Sequence, residues 1–186
     1  VYELRGLMDA GDLPDTRIYV DSPLSVEATR AFARHPDVLR MADGAEKTFA
    51  RLEALHVVSS EESRALRAQP GPFIVVTASG MCEAGRVLHH LKRNLPDPAA
   101  RVVFVGFCAE DTLGRLLLNG QSAVRINGDM VPVHAHIDNY DTFSAHADQR
   151  GLTDWVQAQP GLRAAFLVHG EEEQAFSLAE HLEHHT

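Results

Sequence analysis

Only two cysteines, Cys82 and Cys108, occur in the 186 residues. Two thiols cannot build a disulfide framework, and without a C-x-x-C there is no structural zinc ribbon. A reducing, cytoplasmic setting is therefore expected. Long apolar runs are missing too. No stretch reaches the roughly eighteen residues a membrane helix needs, and Val1 to Asp12 lacks the basic and apolar regions of a secretory signal. Positive charge is scarce: 17 Lys and Arg stand against 26 Asp and Glu, a formal net charge of −9. That balance opposes the counterion-releasing attraction on which basic nucleic-acid binders rely, so a polyanion would need a local site, and a metal is the commonest device for one. There is no internal repeat, no G-x-G-x-x-G and no P-loop, which makes an ordinary nucleotide-binding protein remote. What is present, 45% hydrophobic and 23% charged residues with 13 Gly and 9 Pro, describes one globular domain or one and a fraction.

Short β-branched runs alternate with helical patterns, as βα units do. The expected class is α/β, a mainly parallel sheet flanked by helices. Val1 to Ala10 reads as the back end of a helix closed by Gly11. Ile18–Val20 is the first strand. Ser22 can cap and Pro23 suits the first position of a helix running to about Arg34. Capping-box spacings at Asp43–Glu46 and Ser59–Glu62 announce further helices, the second after a strand His56–Val58. Phe73–Thr77 and Val102–Phe107 read as strands buried on both faces, followed by helices from about Cys82 to Asn94 and from Asp111 to Leu118. Ala123–Ile137 looks like a hairpin turning at Asn127–Gly128, and the domain border is expected just beyond it. A helix from about Asp148 to Gln157, a strand Ala165–Val168 and a helix from Glu171 complete the pattern.

Polar residues follow three strands: Asp21–Ser22, Ser79–Gly80 and His169–Gly170. Ligands in open α/β sheets gather outside the carboxyl ends of parallel strands, where helix N-termini offer N–H groups to anions. By spacing alone, each motif has an ordinary reading as well. Gly80 can serve turn geometry and Asp21–Ser22 a plain cap. His134 and His136 share a strand face that can simply be solvated, and His89 and His90 beside Lys92 and Arg93 look like surface. His146 and His169 differ in standing directly after element boundaries, and for them a metal or acid role remains open.

Five ordered motifs together resemble the β-CASP branch of the metallo-β-lactamase superfamily, the metal-dependent nucleases that include ribonuclease J. They are Ile18–Ser25, Thr77–Arg86, Gly106–Arg115, Phe143–Asp148 and Leu167–Glu171. The resemblance implies a β-CASP domain over residues 1–140 and, over 141–186, a return segment of an αββα metallo-β-lactamase domain. The H-x-H-x-D-H signature and the acidic motif of the family's N-terminal half are absent, so a fragment of a longer protein is expected.

The resemblance also implies roles. His169 corresponds to a zinc ligand and His146 to the residue that protonates the leaving oxygen. Ser144 corresponds to a contact with the scissile phosphate, with a cap of the following helix as its alternative. Ser79 and Gly80, expected at a helix N-terminus, would hold neighbouring phosphates. The implied activity is zinc-dependent hydrolysis of single-stranded RNA phosphodiester bonds. It would use two zinc ions, with the missing N-terminal half as partner, a homodimer as a possible assembly, and an isolated fragment that is inactive. The alternative is an inactive module that only grips RNA or a protein.

Overall fold

The computed structural model describes residues 1–35, 56–57, 59–140, 146–168 and 170–185. The capping spacing at Asp43–Glu46, Val58, Ser144 and His169 lie outside those residues. The chain divides into two compact units, Val1–Phe143 and Ser144–Thr186.

In the first unit, local chemistry sets most boundaries. Helix α1 (Tyr2–Ala10) stops at Gly11, whose φ of 83° suits glycine. Strand β1 (Arg17–Val20) leads into α2 (Pro23–Arg34), where the Ser22 hydroxyl accepts the Ser25 N–H at 3.2 Å. Helix α3 (Ser60–Arg67) opens on a complete capping box. The Ser59 hydroxyl accepts the Glu62 N–H at 3.0 Å, and the Glu62 carboxylate accepts the Ser59 N–H at 2.8 Å.

The class is α/β, with strands that pair two by two. Strand β2 (Phe73–Val76) runs parallel to β1, Ile18 opposite Ile74 and Val20 opposite Val76. After α4 (Val87–Asn94), strand β3 (Arg101–Phe104) and α5 (Leu113–Leu118), the chain forms an antiparallel hairpin of β4 (Ala123–Ile126) and β5 (Asp129–Pro132). Its turn has φ of 50° at Asn127 and 88° at Gly128, both positive as a type I′ turn requires. Strand β6 (His136–Asn139) then lies parallel to β3. The main core gathers Leu91 and Leu95, Phe104, Leu113 and Leu117, and Val124, Ile126 and Val131. The Leu95 carbonyl accepts the N–H groups of both His134 and Ala135, at 2.7 and 2.9 Å, which fastens the hairpin's exit to the end of α4.

Several boundaries differ from the sequence reading. The helix expected from Cys82 begins at Val87, because Ser79, Cys82 and Gly85 take φ of 69°, 62° and 86° and cannot continue a right-handed helix. The helix expected from Asp111, itself at φ 62°, starts at Leu113. β3 stops at Phe104. Of the expected strand His56–Val58, the described residues show one parallel bridge, His56 with Val20. His136 belongs to β6 and not to the hairpin, and His134 lies in the connection before it, its Nδ1 3.1 Å from the Pro96 carbonyl. Strand β2 is half-buried along its length, not buried on both faces.

In the second unit, Asp148 caps α6 (Gln149–Gln157) by accepting the Gly151 N–H at 2.8 Å. Helix α7 (Glu172–His185) joins it through a 2.7 Å bond from Gln157 Nε2 to the His185 carbonyl. Ala165–Val168 forms no strand. Trp155, Phe166 and Phe176 are 65%, 86% and 68% exposed.

Gly114 sits where helix α5 passes the preceding loops. A Cβ there would lie 2.7 Å from Cys108 Sγ, 3.1 Å from the Met81 carbonyl and 3.2 Å from the Phe104 ring. The Met81 oxygen cannot withdraw, since the Gly114 N–H donates to it at 2.9 Å. Alanine gains at most about 1 kcal/mol of helix propensity, against roughly 1–3 kcal/mol for overpacking. Gly114→Ala should therefore lower the urea unfolding midpoint; an unchanged or raised midpoint contradicts this packing.

Candidate nucleic-acid interface

The loops leaving β1, β2 and β3 carry the first three motifs. Asp21, directly after β1, is 0% exposed and its carboxylate is the meeting point of three elements. Oδ2 accepts the Ser63 hydroxyl from α3 and the His90 Nε2–H from α4, both at 2.6 Å. Oδ1 accepts Arg86 Nη1 at 2.6 Å, and the same nitrogen donates to the Val57 carbonyl at 3.1 Å. The backbone is held as well: the Asp21 N–H donates to the Val76 carbonyl at 2.9 Å, and the Thr77 hydroxyl donates to the Asp21 carbonyl at 3.1 Å. Burial by itself pushes the Asp21 carboxyl up, but hydrogen bonds from Ser63, His90 and Arg86 and the positive potential near His90 outweigh it, so its pKa lies below the usual 3.8. With an ionised acceptor, His90 carries its proton on Nε2.

This centre corrects two readings. Ser22 caps α2 while Asp21 does not, and His90 is buried and not a surface residue. The missed signal was helical spacing: His90 stands three residues after Val87 and beside Leu91, which form the buried face of α4.

Arg86 anchors the far end of the loop 77–86, and the loop after β3 anchors its middle. The Gly80 carbonyl accepts both thiols, Cys108 Sγ at 3.5 Å and Cys82 Sγ at 3.7 Å. Burial, followed by the proximity of Cys108 and Glu83, pushes the Cys82 thiol up to about 12. Burial likewise raises Cys108, against the opposing influence of Arg115. Both thiols therefore keep their protons and donate. Glu83 accepts the Leu113 N–H at 2.7 Å, and the Met81 carbonyl accepts that of Gly114. Ser79 and Gly80 face solvent on this braced loop, and no acceptor among the described residues takes their backbone N–H groups. They do not sit at a helix N-terminus, since α4 starts seven residues after Gly80. What they offer an anion is a pair of fixed N–H groups.

His146 lies in the second unit, exposed and two residues before the Asp148 cap. The alternative for Ser144, a cap of the following helix, falls outside the described residues. A zinc ion needs three or four protein ligands. Among the described residues no three of His, Cys, Asp or Glu come together to hold a metal, so these residues do not by themselves make a zinc site. Nor is any helix among them long and apolar enough to cross a membrane.

Residues 1–117 match the family model of the Beta-Casp domain. The chain belongs to the β-CASP family of the metallo-β-lactamase superfamily. Residues 130–186 match a second model, the Zn-dependent metallo-hydrolase RNA specificity domain. Among curated relatives, this β-CASP chain is 40% identical over 174 residues to a ribonuclease of Thermus thermophilus, covering 89% of the chain and 39% of the relative. It is 30% identical over 175 residues to an RNase J-like protein of Methanocaldococcus jannaschii, covering 91% and 39%. Transcription termination factor FttA of Methanosarcina mazei is 30% identical over 182 residues, 91% of the chain and 28% of the factor. The chain thus spans between 28% and 39% of the length of these relatives.

Removing the Asp21 carboxylate leaves the Arg86 guanidinium and the buried His90 without their common acceptor. Asp21→Ala should therefore lower the unfolding free energy of the β-CASP unit by roughly 3–5 kcal/mol in urea titrations. Because the folded pKa of Asp21 is depressed, its stabilisation is complete above 3.8 and is lost as pH falls through the folded value. Asp21→Asn should flatten that part of the acid-unfolding profile, and an unaltered profile would deny the network its role.

Proposed function

We propose that this chain is the β-CASP lid and return segment of a zinc-dependent ribonuclease that hydrolyses phosphodiester bonds of single-stranded RNA in the cytoplasm. The observation that carries the reading is the match of residues 130–186 to the Zn-dependent metallo-hydrolase RNA specificity domain, downstream of a β-CASP unit with two fixed N–H groups on an exposed, braced loop. Ser79 and Gly80 take a phosphate there, and Ser144 contacts the scissile one. His146 donates the proton to the departing oxygen, a transfer imidazole suits near neutral pH. His169 is one zinc ligand, and an N-terminal metallo-β-lactamase half supplies the others for two ions. The exposed Trp155, Phe166 and Phe176 of the second unit suit burial against that half.

The chain alone should bind no stoichiometric zinc and cleave no RNA. Joined to a metallo-β-lactamase half, His169→Ala should lower the occupancy of one metal site, whereas His146→Ala should keep both metals and lose mainly turnover. Metal analysis showing the reverse pattern swaps the two roles, and chelator-sensitive cleavage by the isolated chain refutes the division of labour.

With a net charge of −9, affinity must rest on a few aligned phosphate contacts and not on long-range attraction. Salt dependence on single-stranded RNA runs near −0.7 per phosphate neutralised, so two or three contacts imply a log–log slope of roughly −1.5 to −2. Titrations of a metal-loaded, cleavage-dead protein at several salt concentrations measure it. A slope steeper than about −4 means that a basic surface elsewhere governs binding.

A further inference from the structure

The third motif, Gly106–Arg115, has no part in the chemistry above, yet it places an aromatic ring beside the Gly80 loop. Phe107, three residues after the end of β3, is 60% exposed. The Arg115 guanidinium lies over the ring, 5.5 Å from its centroid, and Arg115 Nε is 3.5 Å from the Glu110 carboxylate. The next residue after Phe107 is Cys108, whose thiol meets the Gly80 carbonyl at 3.5 Å. The ring and the two fixed N–H groups of Ser79 and Gly80 are thus carried on loops joined by a direct bond.

We infer that Phe107, backed by Arg115, is a stacking platform for one base of the RNA strand whose neighbouring phosphate sits at Ser79 and Gly80. This rests on the reading of the chain as RNA-binding and names a residue that reading does not include. Three observations favour a nucleobase. An exposed π-face and a pair of exposed N–H groups stand on two loops joined by the Cys108–Gly80 hydrogen bond, and a single strand offers a base next to each phosphate. The cation on the ring polarises it and prepays its ordering. The acidic chain gains little from long-range attraction to a polyanion, and stacking, which net charge does not oppose, adds affinity to the few phosphate contacts. Because every base has a π-face, the platform is tolerant of sequence.

The probe is a single-stranded RNA oligonucleotide carrying one 2-aminopurine, titrated into the 186-residue chain, with an all-abasic ribose-phosphate strand of equal length as comparison. Phe107→Ala should weaken binding of the base-bearing strand by about tenfold, about 1.4 kcal/mol, and abolish the fluorescence quenching. It should change binding of the abasic strand less than about twofold, while Phe107→Tyr restores both affinity and quenching. The urea midpoint of Phe107→Ala, at an exposed site, should match the parent and shows that the fold is intact. If the parent chain binds the base-bearing strand but Phe107→Ala binds it equally well, the platform is overturned and the RNA-binding reading stands. If Phe107→Ala weakens both strands alike, the ring serves loop structure and the platform is again overturned. If the parent binds neither strand, the RNA-binding reading of the chain falls with it.

Discussion

Much of the first unit hangs on one buried carboxylate. Asp21 sits at the end of β1 with no solvent contact, and a carboxylate can occupy such a place only if its oxygens are satisfied by strong donors. Ser63, Arg86 and His90 do this from α3, from the loop after β2 and from α4. Take the donors away and the charge is untenable; take the charge away and Arg86 and His90 lose their common acceptor. The position of α4, and with it the end of the loop bearing Ser79 and Gly80, follows from that requirement.

The same logic explains why the motifs are spread along the chain yet act together. Asp21 of the first bonds Arg86 of the second. Gly80, Met81 and Glu83 of the second bond Cys108, Gly114 and Leu113 of the third. Residues in left-handed backbone conformations at 79 and 82 cost roughly 1–2 kcal/mol each, and they persist because the Cys82 side chain is buried in the core. The result is a loop with little freedom to rearrange, which suits the phosphate contact proposed for Ser79 and Gly80.

What the sequence discloses is what neighbours in the chain decide. Ser22 with Pro23, the Ser59–Glu62 box, Gly11 and the Asn127–Gly128 turn are short-range devices, and each does in the structure what its residue types dictate. The Asp21 centre could not be read this way, because its donors stand 42, 65 and 69 residues away. His90 was hidden by the basic residues after it, although its spacing from Val87 and Leu91 carried the clue. The late start of α4 was hidden as well, since Ser79 and Cys82 are not residues whose type announces a positive φ. Family motifs identified the family that spacing left open, but a motif says nothing of how its members touch.

Those separations also bear on how the unit assembles. The capped helices and the Asn–Gly hairpin close over a few residues and can form and dissolve quickly. The Asp21 centre needs three loops of tens of residues to be closed at once before any hydrogen bond compensates the buried charge. Until all three donors arrive, Asp21 is better off in water, so the centre works as an all-or-none latch: the β1–β2 layer is either complete or open, with nothing stable between.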